Sequence, residues 1–93
     1  MNEVEKKILE NVFDSLDRLF DRECNVIDVY ALLFASEAAC KNSEAVLLHE
    51  YVVKLESIIR SGEPEESQRD QALVTTNKLR VELNELLPVQ PHA

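Results

Sequence analysis

Glycine occurs once in this 93-residue chain and proline three times. So few breakers leave room for long elements and few tight turns. Hairpin dipeptides such as Asn-Gly and Asp-Gly are absent, which argues against a β-rich fold. Gly62 is the only glycine, so no glycine-rich loop is present to cradle a phosphate. Tryptophan is missing and aromatics make up 5% of the chain, too few for a platform on which bases stack. Basic residues are scarce as well. Ten Lys and Arg face eighteen Asp and Glu, for a formal charge of −8, and such a surface repels nucleic-acid backbones. Two cysteines do not make a disulfide framework. If Cys24 and Cys40 flank one helix, its rise sets them about 24 Å apart, well beyond the reach of a disulfide, so both are expected as free thiols.

What remains is 45% apolar and 30% charged, the balance of a globular protein rather than a disordered one. The length suits one domain, expected over residues 1–88 with a loose tail at 89–93. Four helical stretches follow one another. The first runs from Asn2 to Arg22, with Asn2 and Glu5 at capping-box spacing and an apolar stripe that includes Leu9, Phe13, Leu16 and Phe20. The third starts at Ser43, ends near Arg60, and carries Leu48, Tyr51, Val52, Leu55 and Ile58 on one face, with Gly62 as C-cap. The fourth starts at Pro64 and repeats Ala72, Thr76, Leu79, Leu83 and Leu86 in steps of four and three. Its first turns, ESQRDQ, hold no apolar residue and are expected to project or fray. Short loops between these stretches predict an all-α, up-and-down four-helix bundle.

The second stretch, Val26–Cys40, differs from the others. Ile27, Tyr30, Phe34 and Ala38 point one way, Val29, Leu33 and Cys40 another, and Leu32, Ala35 and Ala39 close the circle. A helix apolar all round needs cover all round. It is therefore expected to sit centrally, wrapped by its neighbours. The run is too short to span a bilayer and carries Asp28 and Glu37. With no basic-then-apolar leader at MNEVEKK, the expected setting is the cytoplasm, with no membrane association.

Motifs that carry chemistry are missing. His49-Glu50 opens like a zinc-protease helix, but position 53 is Val where that motif places its second His. Two His and two Cys without ligand spacing make no metal site, and nothing implies a cofactor. The many carboxylates lie on faces expected to be solvated, where nothing raises a pKa. No enzyme is expected.

Two surface patterns remain. Val46/Val53 and Val74/Val81 each recur at seven residues off the core faces. They are either scattered surface valines or an apolar strip for docking or homodimerisation. On the first helix, Glu3, Glu10, Asp14, Asp17 and Asp21 fall within an arc of roughly 60° and form a stripe about 27 Å long. No Lys or Arg lies inside the arc. A charge run of this kind is ordinarily a solvated face, but it is also the natural surface for a basic protein partner. In size, acidity and helical build the chain resembles the small immunity proteins of bacterial toxin systems, the helical antidotes of colicin-type and contact-dependent toxins. No motif carries that resemblance, and no residue roles transfer with it. It implies an inhibitor that plugs the basic cleft of a toxin nuclease. The alternative is a structural or adaptor bundle acting as a homodimer.

Overall fold

A computed structural model describes residues 2–87. It contains four α-helices and, among the described residues, no strand: α1 (Glu3–Phe20), α2 (Val26–Ala39), α3 (Asn42–Ile59) and α4 (Glu65–Leu86). They pack as an up-and-down bundle in which α1 lies against α2 and α4, and α3 against α2 and α4. Across the diagonals, the backbones of α2 and α4 also approach closely, whereas those of α1 and α3 stay farther apart. The Cα envelope is accordingly flat, 40 × 31 × 17 Å. The expected tail at 89–93 lies outside the described residues.

The ends of the helices follow from local chemistry. Asn2 Oδ1 accepts the Glu5 N–H at 2.8 Å, which satisfies one of the free donors of the first turn of α1. At the other end Arg22 takes a left-handed φ of 63°. The Glu23 N–H then reaches the Arg18 carbonyl at 2.8 Å and the Arg22 N–H the Leu19 carbonyl, the paired bonds of a Schellman end. Helix α1 thus stops two residues short of Arg22, and a non-glycine residue makes the turn. At α2 the Asn25 N–H donates to Asp28 Oδ2 at 2.9 Å. Asn42 adopts the left-handed conformation expected of it, φ 61°, with α3 following directly rather than waiting for Ser43 as cap. Gly62, at φ 77°, turns the chain into α4.

The core is a single cluster. Leu9, Val12, Leu16 and Leu19 of α1 meet Val29 and Leu33 of α2, Leu48, Tyr51, Val52 and Leu55 of α3, and Ala72, Leu79 and Leu83 of α4. Burying each leucine here contributes about 1.5–3 kcal/mol. Two of the three buried polar residues are satisfied within their own helices: Ser15 Oγ donates to the Val12 carbonyl and Thr76 Oγ1 to the Ala72 carbonyl. Both cysteines are free.

Three expectations need correction. First, α2 is not covered on all sides. It buries Val26, Val29, Leu33 and Ser36, while Phe34 is 59% and Ile27 53% exposed. Only α1, α3 and, across the diagonal, α4 are available to cover it, so its fourth side is left open. Second, Phe20 is not in the core seam but 70% exposed, and Leu86 is exposed too. Phe20 has nearly the same angular position on α1 as buried Leu9, but it is the last residue of the helix, so the period alone does not distinguish the two. Third, the polar first turns of α4 do not project or fray. Arg69 Nη2 donates to the Phe20 and Leu19 carbonyls at 2.8 and 3.1 Å, and Arg22 pairs with Glu66 at 2.6 Å. These bonds tie the start of α4 to the end of α1, with Arg69 sharing the Leu19 carbonyl with the Arg22 N–H and supplying a donor to the Phe20 carbonyl at the helix end.

Candidate docking groove

The seam between α1 and α4 is not fully closed. Leu16 and Phe20 on α1 and Leu73, Val74 and Asn77 on α4 line a groove of about 490 Å³. Its floor is apolar because Leu16 and Leu73 turn toward the core. Its rim is apolar as well, since Phe20 stands out on one side and Val74, 71% exposed, on the other. A smaller dent of about 240 Å³ continues along the same seam beside Phe13, Val81 and Asn84. Arg80 lines both. Its guanidinium lies over the Phe13 ring, 5.1 Å from the centroid, and its Nε donates to Asp17 Oδ1 at 2.9 Å. A cation held over a ring face and against a carboxylate is well placed, yet both partners remain about half exposed.

The acidic stripe borders this groove. Asp17 belongs to both: it lines the apolar seam and is the fourth of the five carboxylates of the α1 series. Glu3, Glu10, Asp14 and Asp21 are exposed, on the side of α1 away from its buried residues. Among the described residues none of these four takes part in an ion pair, and only Asp17 is engaged, by Arg80. The other ion pairs lie elsewhere, at Arg22–Glu66, His49–Glu37, Lys54–Glu50 and Arg60–Glu56. The structure therefore sets one carboxylate of the series, Asp17, on the wall of the apolar groove, with the four unpaired ones on the neighbouring outer face of α1. Exposed Phe20 and the cation Arg80 are the parts that the sequence pattern did not point to, whereas the valine spacing already sets Val74 off the core face. Arg80 is 63 residues from Asp17, and no local spacing connects them.

The valine pairs divide. Val74 is part of the groove and Val81 of its smaller extension. Val46 and Val53 are exposed on α3, away from it. Cys24 and Cys40 have thiol pKa values pushed up, chiefly by burial and further by nearby carboxylates, so neither is activated as a nucleophile. Among the described residues no three His, Cys, Asp or Glu side chains gather as metal ligands. No helix among them is long and apolar enough to cross a membrane.

The fold and this seam define the class: an acidic four-helix bundle with a largely apolar groove that meets the carboxylate stripe of α1 at Asp17. Compared with known proteins, the chain matches no family model, no curated protein and no solved structure.

Proposed function

We propose that the chain is a binding protein that captures a basic, amphipathic protein segment in the α1/α4 groove. One observation carries this reading. The acidic stripe and an apolar groove share a wall at Asp17, so one ligand helix can bury apolar side chains against Phe20, Leu73 and Val74 while its Lys or Arg residues face Asp14, Asp17 and Asp21. A solvated charge run needs no such groove beside it. The carboxylates steer the encounter, and the apolar contacts hold the complex. Arg80 stands where a ligand cation would pair with Asp17, so binding exchanges one cation for another at that carboxylate. At a finer level, the size, acidic balance and helical build support an immunity protein whose partner is a basic, nuclease-type toxin in the bacterial cytoplasm. The groove rather than the stripe alone is then the inhibitory surface.

The test uses a helical model peptide with leucines on one face and lysines on the other, titrated into isotopically labelled protein. Amide shifts should concentrate at Phe20, Leu73, Val74 and Asn77 and weaken as salt rises. Phe20→Ser should remove most of the binding. A peptide of equal charge without leucines should bind much more weakly. Shifts confined to the carboxylates, or scattered over α3, would show that the groove is not the site.

A further inference from the structure

The open side of α2 carries Ile27, Tyr30, Ala31, Phe34, Ala35 and Ala38, which fall within an arc of roughly 140°. The alanines are exposed and Tyr30 is half-buried. The Tyr30 and Phe34 rings lie 6.2 Å apart and form one ridge. No charged residue interrupts the arc; Asp28 and Glu37 stand at its two borders. We propose that two copies of the chain pair through this face, α2 against α2, antiparallel about a twofold axis.

The order of large and small side chains argues for this occupant. An antiparallel twofold centred between residues 32 and 33 brings Ile27 level with Ala38, Tyr30 level with Ala35 and Phe34 level with Ala31. Every large residue meets a small one, which is the self-complementarity that a twofold contact requires. A parallel pairing sets Phe34 against Phe34 and Ala31 against Ala31, and so alternates collisions with voids. Charge argues the same way. Each copy carries a formal −8, and this face lets two such copies meet without desolvating a carboxylate. A basic partner gains nothing from an uncharged face and is drawn instead to the carboxylates of α1. Area fixes the strength. An aromatic side chain buries about 150–250 Å², and a standard interface takes about 800 Å² from each partner. The six side chains supply the apolar centre, the flanks of α1 and α3 the polar rim. A contact of one helix pair lies at the small end of that range, so pairing depends on concentration.

Sedimentation equilibrium of the full chain over a range of concentration and salt tests this. A reversible dimer is expected, and raising salt should tighten it, because screening removes like-charge repulsion between the copies. This is the opposite of the salt response of the groove. Phe34→Asp should leave a monomer. Ala35→Phe adds apolar surface but fills the hollow that Tyr30 of the other copy occupies, so pairing should weaken at least about tenfold. Ala31→Phe, which fills the hollow for Phe34, should do the same. All three sites are exposed, and circular dichroism checks that each variant is folded. A chain that stays monomeric up to millimolar concentration at every salt, or pairs equally well with Phe34→Asp, overturns the proposal. So does tighter association of the alanine-to-phenylalanine variants, which marks a merely sticky patch. Phe20→Ser should leave pairing unchanged, so failure of the groove and failure of the α2 contact are distinguishable.

Discussion

Arg22 combines two opposing contributions. Its backbone sits at φ 63°, where a side chain with a β-carbon costs about 1–2 kcal/mol and glycine fits freely. Its guanidinium meanwhile pairs with Glu66 at 2.6 Å. That pair is largely exposed, and exposed pairs contribute little. The backbone should therefore decide the outcome. Arg22→Gly is expected to raise stability by about 0.5–1 kcal/mol, measured by urea denaturation. The pH dependence gives a second check. The hydrogen bond from Arg22, and then its charge, hold the Glu66 carboxyl below its ordinary value. A depressed carboxylate contributes stability above its unfolded pKa and loses it as pH falls through the folded one. The wild type thus loses the ion pair in acid, whereas Arg22→Gly never had it. The advantage of the variant should be larger at acid pH than at neutral pH, and the Glu66 resonance should titrate closer to ordinary glutamate. Equal advantage at both would mean that the pair contributes nothing. The sequence placed Arg22 inside the first helix because nothing but glycine or asparagine marks a left-handed end in advance.

At the scale of the element, α2 separates what a period shows from what it cannot. Its apolar character and its limits were legible: Val26 to Ala39 is helical, one residue short of the expected end. Which side lies open was not, because a helix without a polar face gives no orientation to read. The buried set, Val26, Val29, Leu33 and Ser36, repeats in steps of three and four, but Ile27, Tyr30, Phe34 and Ala38 do so equally well. Only the neighbours choose between them. Leu33→Ala and Phe34→Ala should therefore diverge despite being adjacent. Leu33 is fully buried, and its truncation should cost about 2–5 kcal/mol. Phe34→Ala should cost well under about 1 kcal/mol, measured on dilute protein where copies are apart. Comparable losses would place a cover over Phe34 that the fold does not supply. The start of α4 shows the converse. Its turns lack apolar residues, so no periodicity predicts that they dock, and they are held by Arg69 on the α1 carbonyls, a contact across 49 and 50 residues that no local pattern encodes.

Across the whole molecule, charge and shape act at different ranges. The carboxylate stripe was legible as a spacing, since Glu3, Glu10, Asp14, Asp17 and Asp21 share one helix; the groove beside it needed α4 to be in place. That difference sets how the stripe should be tested. Asp17 now has a structural partner in Arg80, so reversing it would set Lys against Arg and confuse folding with binding. Asp14 and Asp21 are exposed and unpaired among the described residues, and their reversal is the cleaner experiment. Each Asp→Lys change adds two charges, so the double variant moves the formal charge from −8 to −4 and leaves the apolar groove untouched. Stability should change by less than about 0.5 kcal/mol per site, as is usual for exposed positions, and in the favourable direction, because self-repulsion falls. Capture of the leucine–lysine helical peptide should be affected mainly through the association rate, since exposed charges steer the encounter more than they hold the complex. The on-rate should fall markedly at low salt and converge with wild type at high salt, where screening shortens the reach of every charge to about 3 Å. The off-rate, set by Phe20, Leu73 and Val74, should change less. Stopped-flow kinetics at several salt concentrations resolves the two. An unchanged on-rate at low salt would leave the stripe as a solvated face, and the groove would then have to bind by its apolar floor alone.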